Sequence, residues 1–277
     1  MLLKKLIKNL NSETGSIQIS GICYDSRKVK KGNLFVAIKG EKYDGNKYIS
    51  QAISKGARAV IYSGKIKKNK KIKFINFKDT RSILARLSSN YYKNKPKNII
   101  AVTGTNGKTS ISDFFYQIFK LQNIKSGFIG TLGFRKNKLL KKRNLTTLDS
   151  LTLNKDLNEM SRSNINNVII EASSHGLKQK RLNFLKIKAG IFTNLSHDHL
   201  DYHKNMRDYL QSKLLLFNDL LNKGETVITD SEIKQFKEIK KIQAKRNLKL
   251  LTIGSNGNTF KILSHKIFEN YQFLEAR

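Results

Sequence analysis

Residues 98–110 read NIIAVTGTNGKTS, an apolar run closed by a glycine-rich turn and followed by a polar opening. The run 97–104 has the length and β-branched content of a buried strand, and 106–122, NGKTSISDFFYQIFKLQ, spaces its apolar side chains as a helix does. Strand, tight loop and helix in that order put backbone N–H groups at a helix start, where an anion is favoured. Gly104 and Gly107 let the backbone approach phosphate oxygens, and the amides from Thr105 through Asn106 to Ser110 are expected to point at them. Lys108 supplies a point charge for β and γ phosphates, and the Thr109 hydroxyl a ligand for Mg²⁺. Two residues rather than four separate the glycines, tighter than the common GxxxxGK[ST] spacing. The stretch predicts a nucleotide site.

The same alternation continues outward. INNVIIEAS and IKAGIFTNL read as strands, and MRDYLQSKLLLFNDLL (206–221) as a helix. Short buried strands alternating with helices imply an α/β fold with a parallel sheet covered on both faces. Ligands in such folds bind beyond the C-terminal ends of the strands, so TGTNGKTS, EASSHG and TNLSHDHLDYH are expected to converge on one sheet edge. Before the only proline, Pro96, the runs SIQISGICY, NLFVAIKG and ARAVIY read as strands and NKYISQAISKGA as a helix stopped by glycine. The expected division is a small N-terminal α/β domain, 1–96, and a central nucleotide-binding domain, 97–277.

Composition narrows the function classes. No apolar run approaches the roughly 18 residues of a membrane helix, and the start MLLKKLIKNLNSE lacks a cleavage site, so a soluble cytoplasmic protein is expected. Cys23 is the only cysteine, which removes intrachain disulfides and cysteine-based zinc sites and leaves it a small buried apolar residue. The formal charge of +34 invites a nucleic-acid reading. Its lysines are scattered, however, without interleaved aromatics or a recognition helix, which fits solvated surfaces instead. Such a field still attracts anionic substrates.

Four of the five histidines, His175, His197, His199 and His203, fall in the post-strand segments with Asp198 and Asp201; His265 reads as a surface residue. Their spacing resembles a zinc cluster, yet a Mg²⁺-nucleotide site needs only a carboxylate and an occasional imidazole. Glu171 ends a strand and would project at the phosphate-loop edge. Lys213, in the apolar stretch SKLLLF, would by default snorkel to solvent.

Together, GTNGKTS, EASSHGLKQKR and TNLSHDHLDYHKNMRDYLQSKLLLF resemble the Mur ligase family, in the type that adds the third residue of the peptidoglycan stem. YDSRKVKKGNLFVAIKGEKYDGNKYISQAISKGA resembles that type's uridine-nucleotide domain, so the likeness runs from about residue 17 to about 230. The resemblance implies ATP held by Gly104 to Ser110, with Lys108 on the phosphates and Thr109 on the first Mg²⁺. It implies Glu171 and His199 as ligands of a second metal, and Lys213 as an N6-carboxylysine, a cation turned into a metal-binding anion. Tyr24, Ser26, Glu41, Lys42 and Tyr43 match positions contacting the uridine nucleotide; Thr146, Thr147, Ser173, Gln179 and Arg181 match those contacting the muramyl dipeptide. The implied reaction is ATP-dependent amide formation on UDP-MurNAc-L-Ala-D-Glu, adding diaminopimelate or, less favoured, lysine, through an acyl phosphate.

Two departures accompany the likeness. Leu148, Asp149 and Ser150 stand where relatives often carry Pro-Glu-Ser. A glycine-phenylalanine-asparagine segment and a further Rossmann-like domain that selects the amino acid are not found, so the resemblance implies a truncated chain with negligible ligase activity alone. A monomer without nucleic-acid or membrane partners is expected. The alternatives are a folylpolyglutamate or cyanophycin-type ligase, disfavoured by EASSHGL and DHLDYH, and a basic nucleic-acid-binding protein, whose mark would be steep salt dependence.

Overall fold

The computed structural model describes residues 1–40, 43–67, 72–136 and 139–277. The chain folds as two compact units, Met1–Lys93 with Ser150–Lys155, and Asn94–Asp149 with Asp156–Arg277.

In the first unit a short helix, α1 (Ser12–Gly15), precedes β1 (Gly21–Cys23) and β2 (Asn33–Val36); α2 (Ile49–Ser54) leads to β3 (Ala59–Tyr62) and β4 (Lys73–Asn76), and α3 (Thr80–Tyr91) follows. The four strands pair in sequence order, all parallel. Successive side chains on a strand face opposite ways, and the cores divide accordingly. Leu34 and Val36 pack with Ile61, Leu84 and Leu87 on one face, while Phe35 and Ala37 pack with Val60, Ile49 and Ala52 on the other. Asp79 starts α3 by accepting a hydrogen bond from the Ser82 amide at 2.9 Å.

The second unit opens with β5 (Asn98–Thr103), α4 (Lys108–Leu121), β6 (Ser126–Gly130) and a hairpin, β7 (Gly133–Lys136) and β8 (Leu139–Lys141). It continues through α5 (Ser150–Arg162, in this unit from Asp156 onward), β9 (Asn167–Glu171), α6 (Ser174–Lys178), β10 (Ile187–Phe192) and α7 (Met206–Leu215). β11 (Leu221–Asp230), α8 (Phe236–Arg246), β12 (Lys249–Gly254), β13 (Phe260–Ile267) and β14 (Gln272–Ala276) complete it. One sheet takes the order β14-β13-β12-β11-β10-β5-β9-β6-β7-β8, parallel from β13 to β6 and antiparallel at both ends.

The centre of this sheet is the parallel, doubly covered arrangement that the apolar runs predict. Ile99, Val102, Phe128, Ile129, Val168, Ile169 and Ile170 are each at most 1% exposed, and α4 lays Tyr116 against Phe128 and Ile169. Because β5 lies between β10 and β9, the loops after these three strands are neighbours at one edge. One element differs from its sequence reading: the helix predicted to reach residue 221 ends at Leu215 and passes through one wide turn, Leu216–Leu220. Leu221 is drawn into the sheet beside Ile187, which ends the helical run. Among the described residues no helix is long and apolar enough to cross a membrane.

Ile170 has no exposed surface on the central strand β9. Ile170→Ala should lower the unfolding free energy by about 2–5 kcal/mol, read as a lower denaturation midpoint at unchanged slope.

Candidate nucleotide and substrate site

The loop after β5 is held by the loop after β10. Thr105 and Asn106 donate their amides to the carbonyl (2.9 Å) and side-chain oxygen (3.0 Å) of Asn194. The Thr193 hydroxyl donates to the Asn106 carbonyl at 2.6 Å, and the Ser196 amide to the Thr105 hydroxyl at 3.0 Å. Gly104 has φ +146° and sits so close to Thr193 that a Cβ there would lie 1.8 Å from its hydroxyl oxygen. Only glycine fits. With Thr105 and Asn106 committed to Asn194, the amides left for an anion are those at the start of α4, Gly107 to Ser110, which a helix cannot pair internally.

Two lysines converge on this loop. Lys108 donates to the carbonyls of Gly104 (2.9 Å) and Thr105 (2.8 Å). Lys213, in the last turn of α7, donates to the same Gly104 carbonyl at 2.6 Å and is 1% exposed. Lys213 therefore points inward, and the snorkelling read from its apolar neighbours does not occur: its ammonium finds a carbonyl and the Tyr209 ring, 4.4 Å away. Burial, and then the Lys108 charge, push its pKa down to about 7. Burial also lowers that of Lys108, against the opposing pull of Glu171 and Asp198.

Glu171, at the end of β9, has no exposed surface. It accepts hydrogen bonds from the Thr109 hydroxyl (3.0 Å), the Thr131 amide (2.9 Å) and the Thr131 hydroxyl (3.1 Å). A Cβ on Gly130 would fall 2.1 Å from its carboxylate, so that glycine makes room for it. The muramyl candidates lie next along the same edge. The Thr147 hydroxyl bonds the Glu171 carbonyl (2.7 Å) and lies 2.9 Å from the Ser173 hydroxyl, which caps α6 at Gly176. Arg181 donates to the Thr147 carbonyl and, at 2.7 Å, to the Gln179 side chain, while Thr146 meets the Thr131 hydroxyl at 3.1 Å.

The histidines separate. His175, His199 and His203 pack ring to ring around Tyr202 and Tyr209, with His175 stacked on Tyr202 at 3.9 Å, while His197 and His265 are exposed. Burial and the two neighbouring imidazoles push the His175 pKa down to about 4. His203 is buried against the Ser174 hydroxyl at 2.9 Å. His199 takes a left-handed φ of +54° and lies 3.5 Å from Asp198, within reach of the Tyr209 ring. Among the described residues no group of three or more His, Cys, Asp and Glu side chains is placed to hold a metal ion. A hard-cation site here would rest on the Thr109 and Glu171 oxygens with His199 and a modified Lys213. The Thr109–Glu171 oxygen pair suits Mg²⁺.

In the first unit Tyr24, Ser26 and Tyr43 share a hollow of about 680 Å³ with Gln51 and Arg81. It opens beyond the C-terminal ends of the strands, and Ser26 bonds Gln51 at 2.6 Å. Glu41 and Lys42 lie outside the described residues. Cys23 is buried, and burial raises its pKa, as a small core residue requires. Reasoning from sequence missed Gly130, Thr131, Asn194 and Tyr209; the TNL and FIGT stretches directly after strands were the available signal.

A parallel sheet with a glycine loop after its central strand, a lysine on that loop and an acid on the next strand defines an α/β protein of the phosphate-loop type. Within that class the chain belongs to the Mur ligase family: the Mur ligase middle domain matches residues 102–275, and the Mur ligase catalytic domain 18–92. It is 36% identical over 272 residues, 98% of its length, to a UDP-N-acetylmuramoyl-L-alanyl-D-glutamate–2,6-diaminopimelate ligase of Rhizobium meliloti, of which it covers 56%. It is 40% identical over 247 residues to the ligase of that name from Rickettsia montanensis, covering 87% of this chain and 51% of the relative. The chain thus spans about half the length of the curated relatives it matches. A solved structure of a ligase of that name aligns over the whole chain and 57% of its own, at TM-score 0.85 and 27% identity. A Mycobacterium tuberculosis folylpolyglutamate synthase, at 14% identity and TM-score 0.54 over 71% of this chain and 51% of its own, shares the fold.

Unmodified Lys213 makes a pH prediction. The unfolded chain keeps that proton to the usual lysine value of 10.5, and the folded chain releases it near 7. Between those values the unfolded state binds more protons, so stability rises with pH, and the cost of burying the charge is full below pH 7. Lys213→Met should flatten that rise, measured as denaturation midpoints from pH 7 to 10 in CO₂-free buffer.

Proposed function

We propose that this chain forms the nucleotide- and substrate-binding part of an ATP-dependent ligase that joins meso-diaminopimelate to UDP-MurNAc-L-Ala-D-Glu, acting as a monomer in the cytoplasm. The observation that carries the reading is the assembly of Lys108, Thr109, Glu171 and Lys213 around one loop, in a chain whose relatives bear that name. The first unit takes the uridine nucleotide through Tyr24, Ser26 and Tyr43, with Glu41 and Lys42 beside them in sequence. Thr146, Thr147, Ser173, Gln179 and Arg181 take the muramyl dipeptide.

In this reading the first-turn amides of α4 and Lys108 hold the ATP phosphates. The free D-Glu carboxylate attacks the γ-phosphorus; the bond to the ADP oxygen breaks and an acyl phosphate forms. The incoming amine then attacks the acyl carbon, expels phosphate and loses a proton. Lys108 neutralises the charge that accumulates when one anion attacks another. Magnesium, when bound at Thr109, Glu171, His199 and carboxylated Lys213, supplies further positive charge to the phosphates. Near its pKa of about 7, Lys213 has the neutral amine that attack on CO₂ requires.

Calorimetric titration of UDP-MurNAc-L-Ala-D-Glu into the chain at physiological salt should show saturable binding, tighter than that of UMP and absent with a single-stranded oligonucleotide at matched concentration. Oligonucleotide binding that collapses with salt, without dipeptide binding, would reverse the assignment. Lys108→Ala should weaken ATP about 10–100-fold, the loss of one charge-assisted hydrogen bond. Carbon-13 bicarbonate should give one carbamate resonance that Lys213→Gln removes; its persistence in the variant would place the modification elsewhere.

A further inference from the structure

The pairing of β6 with β9 sets Ile129 opposite Ile170, and the same register carried one step further sets Gly130 beside Glu171 and Thr131 just beyond. The Glu171 side chain crosses the place that a Cβ on Gly130 would take and reaches Thr131. Its two oxygens meet that residue in different ways. Oε1 accepts the Thr131 backbone amide at 2.9 Å, a bond that any residue except proline would give. Oε2 accepts the Thr131 hydroxyl at 3.1 Å and the Thr109 hydroxyl at 3.0 Å.

Oε2 is therefore the oxygen turned toward the candidate cation position. Neighbouring oxygens around an octahedral Mg²⁺ with bonds of about 2.1 Å lie about 3 Å apart, and Oε2 and the Thr109 hydroxyl already stand at 3.0 Å. The Thr131 hydroxyl has one proton and two acceptors within reach, Oε2 and, also at 3.1 Å, the Thr146 hydroxyl. An ionised carboxylate is the stronger acceptor, so the proton goes to Glu171. Glu171 has no exposed surface and depends on such protein donors, whereas Thr131 stands exposed beside it.

We propose that Thr131 is a positioning residue for a nucleotide-borne divalent cation: its hydroxyl holds Oε2 of Glu171 on the Thr109 side, in register for Mg²⁺. The inference rests on the nucleotide and cation site described under the proposed function, and adds a residue to it. Donors behind a ligating carboxylate typically alter metal affinity by about 10–100-fold when removed. Here the donor can be removed alone, because Thr131→Val keeps the backbone amide on Oε1 and the branched shape of the side chain, and Thr131→Ser keeps the hydroxyl.

The test titrates ADP calorimetrically into the whole chain, Thr131→Val and Thr131→Ser, with and without Mg²⁺ at constant ionic strength. Thr131→Val is expected to bind metal-free ADP as the parent chain does and to lose at least about fivefold in affinity for the Mg²⁺ complex, with Thr131→Ser restoring it. A parent chain that binds the Mg²⁺ complex more tightly than free ADP, beside a Thr131→Val chain with the same preference, overturns this proposal and leaves the nucleotide site standing. Equal weakening with and without Mg²⁺, a lowered thermal midpoint with the Mg²⁺ preference intact, or no rescue by Thr131→Ser makes the hydroxyl merely structural and also overturns it. A folded parent chain that binds no ADP, or gains nothing from Mg²⁺, instead sinks the nucleotide or cation reading on which this proposal rests, and the proposal with it.

Discussion

Two ammonium groups share one backbone carbonyl. Lys108 and Lys213 both donate to Gly104, and each is held below the usual lysine pKa by burial, with Lys108 adding repulsion at Lys213. Glu171 and Asp198 oppose these shifts only in part, and in the proposed function phosphates or carboxylation of one amine would supply the further negative charge. Tyr209 ties the arrangement together. Its hydroxyl lies 3.2 Å from the Thr105 hydroxyl, its ring lies under Lys213, and it borders His199 and His203.

That convergence depends on the strand order. With β5 set between β9 and β10, the acid at the end of β9 and the Asn194 segment after β10 meet the glycine loop from opposite sides. Glycine is required at two close approaches, Gly104 against Thr193 and Gly130 against Glu171, where a single Cβ would overlap functional atoms. At both places the missing Cβ leaves room for a side chain, that of Thr193 and that of Glu171.

The strand and loop of 98–110 were legible because three local signals agree there: a β-branched run, glycines at a turn and helical periodicity. The convergence of EASSHG and TNLSHDHLDYH followed from the parallel topology alone. Other parts were opaque for identifiable reasons. Thr131 and Asn194 are marked only by following strands; the atoms they meet, Glu171 and the loop after β5, are distant in sequence. Lys213 sits in an apolar helix whose local pattern favours snorkelling; the family resemblance, not that pattern, marked it as a site residue, and the Gly104 carbonyl and Tyr209 ring are what hold it inward. The strands after α7, such as β13, are short of buried residues and alternate weakly, and the end of α7 was overridden by the pairing of Leu221 with Ile187.

The most direct measurement of the central claim is amide NMR of the nitrogen-15-labelled chain titrated with ADP. Saturable shifts at Gly104 to Ser110, Thr131, Glu171 and Asn194, with none at Tyr24, Ser26 or Tyr43, are the predicted result. Shifts centred outside the loops after β5, β6, β9 and β10, or no saturable response from a folded chain, would contradict it.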